Sequence, residues 1–453
     1  MTFTGMVAPV YDFSDTTLAN GLRVVINEDH AVPVVAVNLW YDVGSRHEEP
    51  GRTGLAHLFE HLMFEGSAHV SKGEHLKLLQ AVGASLNATT WGDRTNYFET
   101  VPSHHLELAL WLEADRMGGL GEALSQETLD NQRAVVQNER RQSYDNQPYG
   151  DWLERLQQLG FPEGHPYQHS TIGSMDDLEA ASLGDVKEFY RRHYAPNNAV
   201  LTLVGDVDTA AALALVERYF GGIAACQDLV GPPDGSAPAS IGGEIRRTIP
   251  DNVPLPAVFI GYRCPPFGTP DFDALSVLSV VLGGGRGSRL YHDLVLEQQL
   301  VRPSEEFVGA LDFVGGATLL IADLHCAEGV HPETAETAYD AVLDTLLRDG
   351  VGPAEMERAQ ALLTSELLGH LSALDGRADA FSQHATLFGD PGLVNTRLDR
   401  LLAVTAADVV RVGRAVMSKD NRVVLTYVPD EAAGESTADS GLVDAADRAE
   451  VPA

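Results

Sequence analysis

The stretch His57-Leu58-Phe59-Glu60-His61 decides how this chain is read. Its flanks, Gly54-Leu55-Ala56 and Leu62-Met63-Phe64, contain no proline, so a helix over about 53–65 is the natural form. At 100° per residue, His61 lies about 40° round from His57 and Glu60 about 60° to the other side. All three side chains then share one arc of roughly 100°. Two imidazoles one turn apart suit a tetrahedral metal, and zinc is the common occupant of nitrogen-rich sites. Glu60 would stand beside the metal as a base rather than as a ligand.

Upstream of this helix, residues 22–27 and 34–43 carry the β-branched runs of two strands, with a polar turn at Glu28-Asp29-His30. Downstream, a helix near 71–82 precedes a hairpin over 84–91 and 95–101, whose tip is Trp91-Gly92-Asp93-Arg94. Helical periodicity covers about 103–119, 126–144, 183–193 and 208–220, with a strand near 198–205. Residues 226–245 have the Gly, Pro and Ser content of a linker. The plan then repeats. A strand at 255–262 is followed by helices at 271–282 and 288–298, and by strands near 305–313 and 316–324. Helices at 332–348, 353–372, 374–387 and 404–416 follow, and the last strand, 422–428, matches 198–204 closely.

The expected fold is α+β, with two similar domains related by duplication, each an antiparallel-rich mixed sheet packed with helices. Residues 1–225 would form an N-terminal metal-binding catalytic domain, 226–245 the linker and 246–430 a homologous domain without metal. Residues 431–453, acidic and without apolar periodicity, are expected to be disordered.

A length of 453 residues calls for more than one core, and 44% apolar with 21% charged residues describes a soluble globular protein. The net charge of −34 argues against nucleic acid and anionic membrane surfaces as partners. No run approaches the 18 or so apolar residues that span a bilayer, and Met1 to Asp15 lacks a secretory pattern, so the cytoplasm is expected. Cys226, Cys264 and Cys326 form neither a disulfide framework nor a Cys-x-x-Cys site. The tract Gly283-Gly284-Gly285-Arg286-Gly287 lacks the Lys-Ser/Thr ending of a phosphate cradle and reads as a loop.

The motif, the Met63-Phe64-Glu65-Gly66-Ser67 that follows it, and the two similar halves resemble the pitrilysin or insulinase family of zinc metallopeptidases. Asn20–Asn27, Gly83–Tyr97 and Arg191–Asn198 extend the resemblance to about Phe13–Val428. It implies one Zn2+ per chain, held by His57, His61 and a third ligand, with Glu60 as general base. The third ligand would be Glu139, within Val135–Arg141, which resembles the family's third-ligand segment. Helical spacing sets Glu139 i+4 from Val135 and i+3 from Val136, on an apolar side where a bare carboxylate is costly. Gln132 stands where many members carry a supporting Glu behind the ligands. The resemblance also places Leu86, Asn87, Ala88 and Thr89 on an edge strand that pairs with extended peptide.

The implied activity is zinc-dependent cleavage of short or unfolded polypeptides. Active members carry an Arg and a Tyr seven residues apart in the second half, whereas Val295 and Arg302 hold those positions here. The implied partner is therefore a homologous subunit without zinc ligands that supplies the pair, making a heterodimer. A non-catalytic scaffold subunit and a peptide-binding module of the same fold are the alternatives.

Overall fold

The computed structural model describes residues 9–430, so the tail expected to be disordered lies outside the described residues. The first sheet comprises β1 (Ser14–Thr17), β2 (Arg23–Glu28), β3 (Val34–Tyr41), β4 (Ser85–Thr90), β5 (Thr95–Pro102) and β6 (Ala199–Gly205). Their order is β1-β2-β6-β3-β5-β4. The second comprises β7 (Ile245–Asp251), β8 (Ala257–Cys264), β9 (Val308–Ala310), β10 (Thr318–His325) and β11 (Arg422–Pro429). Its order is β7-β11-β8-β10-β9. In each sheet one neighbouring pair is parallel, β2 with β6 and β7 with β11, and every other pair is antiparallel. The same five-strand topology is traced twice, as the match between residues 198–204 and 422–428 implies.

The helices of the first half are α1 (Leu55–Leu62), α2 (Glu74–Ala81), α3 (Leu106–Ala123), α4 (Gln126–Arg140), α5 (Trp152–Gly160), α6 (Met175–Ala180), α7 (Leu183–His193) and α8 (Thr209–Phe220). The second half adds α9 (Pro270–Gly283), α10 (Pro332–Asp349), α11 (Pro353–Ser372), α12 (Leu374–Leu387), α13 (Arg397–Ala403) and α14 (Ala406–Val416). None of the described helices is long and apolar enough to cross a membrane.

The helix expected over 126–144 ends at Arg140 and gives way to a π-helical turn, and three further local expectations differ from the structure. The strand expected over 305–313 shrinks to β9, because the chain leaves the sheet so that Phe313 can stack on Tyr167 of the first half (4.2 Å between ring centres). The helix expected over 288–298 becomes a π-helical turn, Tyr291–Glu297, followed by Gln299 at φ 55°. The expected linker gives its last residue to β7, which no strand signal announced. As an edge strand, β7 tolerates both Pro250 and the exposed Arg246 and Arg247.

Packing does not follow the division of the chain. Helix α12, from the second half, lies on the outer face of the first sheet, where Ala378, Phe381 and Ala385 bury Val25, Ala36, Val200 and Val204. Its Asp379 accepts hydrogen bonds from Trp40 Nε1 (2.9 Å), Asn96 Nδ2 (3.2 Å) and Asn38 Nδ2 (3.3 Å). Helix α5 makes the reciprocal crossing. Its Leu156 and Trp152 pack on Phe259, Leu319 and Leu425 of the second sheet. Each half lends a helix to the sheet of the other.

Candidate active site

Helix α1 is fixed by its apolar face. Leu58, Phe59 and Leu62 are fully buried, and Phe59 stacks on Tyr194 (5.0 Å) and Phe189 (5.3 Å). Tyr194 belongs to Arg191–Asn198, so that segment acts as packing behind the motif. Gly54 opens the helix at φ 89°, a left-handed conformation that favours glycine. The Gly54 and Ala56 N–H groups donate to Glu48 (2.9 and 2.7 Å), which neutralises the positive end of the helix dipole. Burial raises the Glu48 pKa, opposed by His169, whose Nε2 lies 3.0 Å away, and by those two N–H groups.

With the apolar face locked, His57, Glu60 and His61 occupy the opposite arc, and α4 crosses in front of them. His57 Nε2 lies 3.6 Å from Glu139 Oε1, and His61 Nε2 lies 3.3 Å from Glu139 Oε2. The imidazole rings stand 4.9 Å apart at 88°. Donor atoms on a tetrahedral zinc are separated by about 3.3 Å, given bonds of about 2.0–2.1 Å, so the spacing and the chemistry of this set fit the ion. Burial pulls the His57 pKa below its ordinary value, which keeps the imidazole lone pair free for a metal. The Glu139 pKa is lowered as well, here by hydrogen bonding from His61, so its carboxylate stays charged. Burial raises the pKa of half-buried Glu60, opposed by Thr90 and His61.

The route by which sequence reached Glu139 was only partly sound. Its side chain is 39% exposed and Val135 is 44% exposed, so this is not a buried apolar face. Val136 is the buried member, and the carboxylate is held by the histidines instead of by apolar walls. Gln132 does not reach the donors. Its amide donates to Glu65 Oε1 (2.7 Å), whose other oxygen pairs with Lys72 (2.6 Å).

Leu86, Asn87, Ala88 and Thr89 lie on β4, which pairs only with β5, so one edge of this strand has no partner among the described residues. The Ala88 N–H donates instead to the Asn87 side chain (2.9 Å). Sequence reasoning missed the residues that hold this hairpin. Arg94 donates to Thr89 O (2.9 Å) and sits over the Trp40 ring (5.1 Å). Asp93, read as a turn residue, is buried between Arg46 (2.6 Å), the Tyr167 hydroxyl and the Val314 N–H (3.0 Å). Its partners lie far away in sequence, so no local pattern could reveal them. Glu48 escaped notice similarly, since it caps α1 from six residues before Gly54 without standard capping spacing.

The family pattern described as Insulinase (Peptidase family M16) matches residues 23–164, and the Peptidase M16 inactive domain matches residues 180–363. The zinc protease PqqE of Helicobacter pylori is 30% identical over 401 residues, covering 87% of this chain and 88% of that protein. The chain belongs to peptidase family M16. An uncharacterized zinc protease of Mycobacterium tuberculosis is 29% identical over 406 residues, covering 89% of this chain and 90% of its own length. A crystal structure of a protease from Helicobacter pylori superposes with a TM-score of 0.87 at 27% identity, over 93% of this chain and all (100%) of that one. This M16 chain is thus a zinc protease with an N-terminal M16 domain and a second domain of the inactive type.

Proposed function

We propose that this M16 protease is the metal-bearing subunit of a two-chain endopeptidase acting on short or unfolded polypeptides. The observation that carries the reading is the convergence of His57, His61 and Glu139 beside Glu60. These three residues would hold one zinc ion. When bound, zinc supplies Lewis acidity toward the peptide carbonyl and lowers the pKa of water. Glu60 takes the proton of the attacking water and returns it to the leaving amine. Its raised pKa narrows the gap between holding and releasing that proton. The edge of β4, without a partner among the described residues, holds the substrate by its backbone, a mode that tolerates many sequences.

The two-chain part of the proposal is supported by what occupies the Arg and Tyr positions. Val295 packs against the second core, and Arg302 is exposed, with its N–H donating to His325 O (2.8 Å). A homologous subunit would supply the missing pair. Hydrolysis of a quenched peptide tests this directly. Little turnover is expected from the lone chain and strong turnover after mixing with such a homologue, with Glu60→Gln silent in both. A fully active preparation of this chain alone would exclude the second subunit.

A further inference from the structure

The three proposed donors come from two helices that share the first core. His57 and His61 ride on α1, whose apolar face is sunk in the first core, whereas Glu139 sits one residue from the end of α4. The next residue, Arg140, is a junction. Its Nη1 donates to Gly173 O (2.9 Å), and its Nη2 donates to Glu154 Oε2 (3.1 Å). Asp145 lies 3.5 Å from its Nε. Gly173 presses on the start of α1, so that a Cβ there would fall 2.3 Å from the Gly54 nitrogen.

Glu154 belongs to the first turn of α5, and α5 is seated on the second sheet. Trp152 stacks on Phe259 (4.9 Å, 11°), Arg263 Nε donates to Gly160 O at the end of the helix (3.0 Å), and the Tyr427 hydroxyl donates to Asp151 at its start. The connection from α4 is fastened as well. It runs through a π-helical turn, Arg141–Asp145, to Tyr149 at φ 62°, whose hydroxyl donates to Leu255 O (2.6 Å).

We infer that Arg140 and Glu154 are positioning residues for the third metal donor, and that through them metal binding is linked to the seating of α5 on the second domain. This rests on the ligand set proposed above. If α5 loosens, Arg140 loses one of its anchors and Glu139 drifts from the two imidazoles. A metal that clamps Glu139 to α1 tightens the same seat, because coupling between two equilibria is reciprocal. The second domain, which supplies none of these three donors, thereby contributes to metal affinity.

The test uses the full chain and zinc alone, with affinity read by competition against a chromophoric chelator. Wild type should bind and His57→Ala should not, and retention of zinc by His57→Ala would sink the ligand set itself. With that control in place, Glu154→Gln should bind roughly tenfold more weakly, as for groups that orient a ligand, while Glu163→Gln, an exposed acid elsewhere, binds as wild type does. Hydrogen exchange on the wild-type chain gives a second reading that needs no variant and decides the matter if Glu154→Gln does not fold. Zinc should slow exchange in α5 as well as in α1. Unchanged affinity in a folded Glu154→Gln protein, or protection of α1 without α5, would overturn the linkage.

Discussion

Helices α1 and α9 occupy corresponding places in the two domains, each following the central strand, β3 or β8, of the same five-strand pattern. They have diverged in opposite directions. On α9, Phe272, Ala274, Leu275, Val277, Leu278, Val281 and Leu282 are all buried, with α11 and α14 packed against it. On α1 only one face is buried, and the remaining arc carries His57, Glu60 and His61 toward α4. A duplicated scaffold can therefore spend the same helix on core or on chemistry. What differs is how much of its circumference neighbouring helices cover.

Breaking the chemical side of this contrast gives the largest effect. Glu60→Gln should lower peptide hydrolysis by roughly 10²–10⁴-fold while zinc content and melting behaviour stay as in wild type. Near-normal turnover, measured in the active assembly, would remove Glu60 as the base. The contrast sharpens with a pair of truncations. His57→Ala should fold like the metal-free protein yet lose stoichiometric zinc after dialysis. Leu278→Ala, at a fully buried position of α9, should lower unfolding free energy by about 2–5 kcal/mol in a denaturant titration. If both variants were equally destabilised, the division of labour between the helices would be wrong.

A third comparison concerns charge. The second domain gathers Arg422, almost fully buried, with Glu244, Glu336 and Asp340. Hydrogen bonding from Arg246, and then from Arg422, holds the Glu244 pKa down to about 2. Between that value and its ordinary one near 4.5, the unfolded chain binds more protons than the native one. The stabilisation from this carboxylate is complete above about 4.5 and fades as pH falls toward 2. Glu244→Gln should flatten the loss of stability across that window, and an unchanged acid-unfolding profile would argue against it. The smallest effect is expected on β4. Asn87→Ala frees the Ala88 N–H for substrate, and a hydrogen bond worth about 1 kcal/mol would lower KM by roughly fivefold with kcat unchanged. A rise in KM would instead make Asn87 a direct substrate contact.

The residues differ in how legible they were. The 3.6-residue period places His57, Glu60 and His61 on one arc whatever the helix packs against, so this part of the site could be read from five consecutive letters. Repetition of strand patterns across 22–43, 198–205, 255–262 and 422–428 disclosed the duplicated α+β plan for the same local reason. Glu139 needed the family resemblance, since its exposed neighbour Val135 gives no reliable face. Asp93, Glu48 and Gln132 make contacts across 221, 6 and 67 positions of sequence, with partners that no periodicity encodes.

Local chemistry along the chain thus determined the helix that bears the histidines and the β4–β5 hairpin, because each depends on residues within a few turns, and composition alone set the charge balance. Only the tertiary structure decided that α5 and α12 exchange sheets and that the helix bearing Glu139 is tied to the second domain through Arg140 and Glu154. These features depend on which apolar faces find each other after collapse, and burial is non-directional until shape and hydrogen bonding select one arrangement.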